Sequence, residues 1–209
     1  MKLATYRDGS RDGQLVVVSR DLTLAHYASG IATRLQQVLD DWNFLSPQLE
    51  ELSQTLNHGK ARHAFPFQAS QCLAPLPRAF RWAFARPGDA TPQTSIGDEL
   101  GAAHDDIDWP ETGALDIAAG LAVICGEIGA GAGADSALDG IRLVTLACDI
   151  RRQDAERREA LATAFAPVAA TPDELGAAWQ GGRLGLDLDI PWNGKRVRRV
   201  AAGADAGPS

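Results

Sequence analysis

The chain has 209 residues, 27 acidic against 20 basic, a formal net charge of -7 and 45% hydrophobic residues. That balance supplies a sizeable core and on average repels nucleic-acid backbones and anionic membrane surfaces, so no nucleic acid and no membrane is expected as a partner. No run approaches the roughly 20 apolar residues of a spanning helix, and no apolar region follows a basic start, which predicts a soluble, unexported protein. The cysteines Cys72, Cys125 and Cys148 are odd in number and widely spaced, and two lie in apolar runs where a thiol behaves as a small hydrophobe. A reduced, cytoplasmic setting is the expectation.

In chain order, Met1 to Tyr6 and Gln14 to Ser19 are short apolar segments flanking two Asp-Gly pairs, which favour positive φ and predict a β-hairpin. Leu22 to Ala28 reads as a third extended segment. The period then changes: Leu35, Val38, Leu39 and Trp42, followed by Leu45, Leu49, Leu52 and Leu56, fall at helical spacing and predict two amphipathic helices. Ser46 and Pro47 suit an N-cap and first helical residue, and Gly59 a C-terminal stop. This gives a small α+β domain over residues 1–72, whose expected role is to cover or oligomerise the domain after it. Leu73-Ala-Pro-Leu-Pro-Arg78 is a stiff boundary. Residues 73–113 are read as linker and loop, because periodicity is lost from Phe84 to Glu111.

The second domain, residues 114–200, is organised around two apolar runs, Ala114 to Cys125 and Ile141 to Asp149, both read as buried strands. Between them lie a Gly/Ala loop and a short segment, Ala134 to Gly140, long enough for a turn or two of helix. Asp149 ends the second run, either as a site residue or as the cap of a following turn. Asp149 to Leu161 is polar and predicts helix. Thr171-Pro-Asp-Glu174 fits a capping box opening a short helix to Trp179. Leu184, Leu186, Leu188 and Ile190 alternate with polar residues as a half-wet strand, which Asn193-Gly194 turns back into Lys195 to Val200. Residues 201–209 are read as a flexible tail.

Several of these stretches resemble the fumarylacetoacetate hydrolase family, in its longer bacterial form. They are Met1-Lys-Leu-Ala-Thr5, Asp8-Gly-Ser-Arg-Asp-Gly-Gln-Leu-Val-Val-Val-Ser-Arg-Asp21, Ala74-Pro-Leu-Pro-Arg78, Ile141-Arg-Leu-Val144, Ala162-Thr-Ala-Phe-Ala-Pro-Val168 and Thr171-Pro-Asp-Glu-Leu175. The resemblance implies an α+β fold, in which the N-terminal domain is followed by a partial mixed β-roll. It also implies metal-dependent carbon-carbon bond hydrolysis or decarboxylation of acylpyruvate and β-diketo acids on Mg²⁺ or Ca²⁺. A hard divalent ion needs several oxygen ligands with two or three carboxylates among them, and then polarises the substrate's keto oxygens.

In the family those ligands are an aspartate after the first linker, a Glu-x-Glu pair on a strand and an aspartate ending the next strand. The last aligns with Asp149. Ala118 and Gly120 stand where the two glutamates would be, and Phe84 follows Arg81-Trp82-Ala83 where the first aspartate would come. The family's downstream histidine base is missing from that stretch. The lysine expected before Ala162 is replaced around Ala160, in a region shortened by roughly ten residues. The family also continues beyond Asp205-Ala-Gly-Pro208 through further strands bearing a Gly-rich substrate loop. Asp149 is therefore the one family metal ligand that can be placed. One aspartate does not hold Mg²⁺ tightly, which predicts a catalytically degenerate member, with a small β-keto acid as its ligand class. The alternative is a non-catalytic subunit or binding module, a homo-oligomer or a hetero-oligomer with a full-length relative.

Three further patterns have weaker readings. Gly129-Ala-Gly131-Ala-Gly-Ala134 meets the G-x-G-x-x-A dinucleotide spacing after an apolar strand, with Asp149 downstream, and a flexible turn is the bland alternative. His104-Asp-Asp-Ile-Asp108 with Glu111 gathers carboxylates without the glycine and terminal glutamate of a calcium loop. Lys195-Arg-Val-Arg-Arg199 reads as the wet face of a hairpin. The scattered histidines give no zinc spacing, and no G-x-S-x-G elbow is present.

Overall fold

A computed structural model describes residues 1–85, 92–108, 114–153 and 158–201. The N-terminal strands are β1 (Lys2–Tyr6), β2 (Gln14–Val18) and β3 (Leu24–Tyr27), followed by helices α1 (Leu35–Asp40) and α2 (Trp42–Asn57) and strand β4 (Phe65–Pro66). Strands β5 (Ala79–Phe84), β6 (Gln93–Gly97) and β7 (Gly101–Ala102) come next. The centre holds β8 (Ala114–Cys125), α3 (Ala134–Asp139), β9 (Ile141–Gln153), β10 (Arg158–Phe165) and β11 (Val168–Ala170). Last are β12 (Trp179–Gln180), β13 (Arg183–Leu184), β14 (Asp187–Trp192) and β15 (Lys195–Ala201). The fold is mixed α+β, mostly sheet, with no closed barrel among the described residues.

One nine-stranded sheet joins the two halves of the chain, in the order β4-β3-β2-β1-β11-β9-β10-β7, with β8 also paired to β9. β9 accepts so many neighbours because it is 13 residues long. One edge runs along β8, and the other pairs first with β11 at Val144↔Ala170 and then with β10 from Ala147 to Gln153. Every ladder in this sheet is antiparallel except β10 with β7.

The predicted hairpin forms as β1 and β2, with Gly9 and Gly13 at φ of +85° and +58°. At Gly13 a Cβ would stand 2.5 Å from the Tyr6 carbonyl oxygen, so the turn needs glycine for space as well as for its dihedral. β2 is buried on both faces. Leu15 and Val17 join Leu3, Leu143 and Ala169 beneath Leu35, Val38, Leu49 and Leu56 of the helices, while Val16 and Val18 pack with Ala4, Tyr6, Ala25 and Cys72. Each such buried Leu or Val contributes roughly 1.5–3 kcal/mol. Among the described residues no helix is long and apolar enough to cross a membrane.

The helix pair is as predicted, but α2 starts at Trp42 and carries Pro47 inside it, so Ser46 is not its cap. Burial of Leu49, Ser53 and Leu56 outweighs the ladder bond that proline cannot donate. The stop at Gly59 holds: its φ is +67°, and the Lys60 amide reaches back to the Thr55 carbonyl at 3.0 Å.

Four expectations are corrected. Of residues 149–161, read as helix, 149–153 are the end of β9 and 158–161 the start of β10, where pairing on both sides of β9 overrides local propensity, and 154–157 lie outside the described residues. The stretch read as loop around 84–111 contains β6 and β7. The central runs do form strands, but much of β8 is half-buried rather than buried. The capping box at Thr171 does not form. Residues 172–178 make a 3₁₀ segment broken at Gly176, and the Thr171 hydroxyl accepts from the Met1 amino group at 2.6 Å instead. Glu174 also turns to that amino group, at 3.2 Å. The last hairpin forms at Asn193-Gly194, both with positive φ, although its first strand begins only at Asp187. Of the tail, residues 202–209 lie outside the described residues.

Candidate functional site

Alternation along β9 puts Thr145, Ala147, Asp149 and Arg151 on one face. Asp149 is buried, with 4% of its surface exposed. Its Oδ2 accepts from Arg151 Nε at 2.5 Å, and its Oδ1 accepts from the Thr163 hydroxyl at 3.2 Å. Thr163 sits directly opposite Asp149 on β10, so this second contact follows from sheet register. The neighbouring Cys148 thiol is pushed above its ordinary value by burial and then by the Asp149 charge.

The β5–β6 hairpin closes over the same face. The Arg151 guanidinium lies 5.5 Å from the centre of the Phe84 ring, and its Nη2 is 3.5 Å from Gln93 Oε1. Trp82, two residues before Phe84, packs edge-on against Phe165 of β10 at 5.1 Å. These rings and strands form a wall around the Asp149–Arg151 pair.

On the other side, β8 sets Ala118 directly opposite Asp149, Asp116 opposite Arg151 and Gly120 opposite Ala147. Directly opposed side chains on one face start about 4.5–5.5 Å apart at Cβ. Phe84, Ala118, Gly120 and Asp149, far apart in sequence, thus gather in one place, and only the last of them carries a carboxylate. Among the described residues no three His, Cys, Asp or Glu side chains converge as a metal site. One carboxylate engaged by a guanidinium and a hydroxyl does not fit a hard divalent ion, which needs several free oxygens. The chemistry present is that of a neutralised ion pair.

Comparison with known proteins bears on what this corner derives from. Residues 1–78 match the model of "Fumarylacetoacetase N-terminal domain 2". The likeness by sequence is thus to the fumarylacetoacetate hydrolase family, over the N-terminal 78 residues. Solved structures extend the likeness in fold across nearly the whole chain. Maleylpyruvate hydrolase from Sphingobium sp. SYK-6 matches with a TM-score of 0.72 at 15% identity, covering 97% of this chain and 77% of that one. The same enzyme in complex with manganese(II) and pyruvate matches with a TM-score of 0.72 at 16% identity, over the same shares of the two chains. A protein assigned as HpcE from Mycobacterium smegmatis matches with a TM-score of 0.64 at 17% identity, covering 97% and 76%. No curated protein matches by sequence.

The other sequence candidates do not join the Asp149 corner. The Gly129–Ala134 loop leads through α3 into β9, which runs antiparallel to β8, so the parallel crossover of a dinucleotide fingerprint is not there. In the acidic stretch, Asp105 pairs with Arg7 and accepts from the Ala102 amide at 2.8 Å, a turn-closing role. Glu111 lies outside the described residues. On β15, Arg199 pairs with Asp187 at 2.7 Å across its own hairpin. Sequence reasoning missed Arg151, Thr163 and Gln93. The signal for Arg151 was available, since a residue two along a strand from Asp149 shares its face.

Proposed function

We propose that this chain is a catalytically degenerate member of the family, derived from enzymes that hydrolyse or decarboxylate acylpyruvate-type β-keto acids on a divalent ion. Asp149 occupies the position of the family's strand-end metal ligand, and Arg151 has taken over the neutralising role of the ion. The observation that carries this reading is the register of β8 against β9, in which Ala118 faces Asp149 where a second carboxylate is needed. Phe84 over the guanidinium supports it, because an aromatic ring stands where another acidic ligand would come. With the fold retained, a small keto acid is the ligand class, bound without turnover, and the setting is cytoplasmic.

Calorimetric titration of the full chain with Mn²⁺ and Mg²⁺, paired with an acylpyruvate cleavage assay, tests the reading. No saturable metal binding and no turnover are expected. Tight stoichiometric binding with metal-dependent cleavage would overturn it.

A further inference from the structure

A cleft of about 730 Å³ opens where α1, the linker at Leu76-Pro77-Arg78 and the β5–β6 hairpin meet. That size suits a small molecule, and the apolar part of its lining comes from Leu35, Leu76, Pro77, Phe80 and Ile96. The walls are tied in place. Arg78 Nε donates to Asp12 of the β1–β2 turn at 2.7 Å, Arg34 pairs with Asp8 at 2.8 Å and Arg11 with Asp98 at 3.2 Å, while the Leu100 amide donates to the Pro77 carbonyl at 2.9 Å.

A β-bulge aims the hairpin at this cleft. The register runs Ala79↔Gly97 and then Trp82↔Ser95, so Phe80 and Arg81 together stand opposite the single residue Ile96, and all three line the cleft. Phe80 and Ile96 are 95% and 81% exposed, more than any other large hydrophobic side chain among the described residues. Large apolar groups left in water around a concavity mark a binding surface rather than a core. Charge then decides the class of ligand. The cleft's charged residues are Arg34, Arg78 and Arg81 against Asp12 and Asp98. All but Arg81 are matched in the pairs above, whereas Arg81 is exposed and has no ion-pair or hydrogen-bond partner among the described residues. One guanidinium is left over beside an apolar cleft.

We propose that this cleft binds a small amphipathic monoanion, an aryl or alkyl carboxylate, whose apolar body lies against Leu76, Pro77, Phe80 and Ile96 and whose carboxylate meets Arg81. The planar guanidinium fork offers a carboxylate two parallel hydrogen bonds, which a point charge does not. The site is separate from the Asp149 corner: Phe80 stands near the start of β5 and Phe84 at its end, roughly 13 Å apart along the strand. It therefore holds whether or not that corner has lost its metal.

Phenylpropionate titrated into the full chain, followed through amide chemical shifts, is the test. Saturable binding with a Kd on the order of 1 mM is expected, as suits so small a ligand. The shifted amides should fall in residues 35–37, 76–81 and 94–98, with those of residues 147–151 unmoved. Uncharged phenylpropionamide should bind the parent about fivefold more weakly, and Arg81→Gln should weaken phenylpropionate by a similar factor while leaving the amide's affinity unchanged. Arg81 and Phe80 are exposed, so Arg81→Gln and Phe80→Ala should keep the fold, and Phe80→Ala should weaken both ligands alike. The absence of saturable binding, shifts centred on residues 147–151, equal affinity for acid and amide, or binding indifferent to both substitutions would each overturn the proposal.

Discussion

Ala118 and Asp149 face each other across the β8–β9 ladder, so a methyl group stands where a second carboxylate would have to meet the buried aspartate. The guanidinium of Arg151 balances the charge from within the same strand. The energetic and functional consequences of this corner can be measured separately.

Replacing Arg151 with methionine removes the guanidinium from a carboxylate that water barely reaches. The loss should be about 3 kcal/mol, at the low end for a buried pair because Arg151 keeps 15% of its side chain exposed. Adding Asp149→Asn should restore much of it, since a neutral pair no longer confines a charge. Urea unfolding of the two single variants and the double gives the coupling. Additive losses would contradict the pairing.

Restoring carboxylates should restore metal binding. Gly120 has open space where a Cβ would go, and Ala118 already faces Asp149. The triple variant Ala118→Glu, Gly120→Glu, Arg151→Ser is expected to bind Mn²⁺, seen as loss of the free-ion electron paramagnetic resonance signal, where the parent chain leaves that signal unchanged. If the variant is folded yet silent, β8 is not the ligand strand.

Glu174 ties the start of the chain to the segment after β11. Burial would raise its carboxyl, but the Met1 amino group and Arg20 outweigh that and hold it below the ordinary glutamate value. Its contribution is therefore complete above the unfolded value and is lost as pH falls through the lower folded one. Glu174→Gln should cost about 1–3 kcal/mol at neutral pH, with the gap to the parent closing in acid. Unfolding free energies from about pH 7 down to about pH 3 check the sign; a gap that widens in acid would refute it.

The thiols should separate by reactivity. Burial pushes Cys72 up to about 12, whereas Cys125 is exposed. A thiol-reactive disulfide reagent near pH 8 should label Cys125 in the native protein and reach Cys72 only on unfolding. Peptide mapping of the labelled chain distinguishes them, and early labelling of Cys72 would count against the packing around Tyr6.

Local chemistry written into the sequence specified much of this molecule: the Asp-Gly and Asn-Gly turns, the two leucine-periodic helices with the stop at Gly59, and the two apolar strands around α3. Each depends on residues a few positions apart, so spacing alone carries it. Phe84, Ala118, Gly120 and Asp149 could also be singled out from the sequence one by one.

Only the tertiary structure decided that Ala118 and Gly120 line up beside Asp149 across the β8–β9 ladder, and that Arg151 pairs with that aspartate. It also decided that residues 150–153 after Asp149 are strand, because pairing with β8 and β10 satisfies their backbone better than a helix could. Thr171 and Glu174 were drawn from a capping box to the Met1 amino group for the same reason: partners 170 residues away in sequence are invisible to any local pattern until the sheet brings them together.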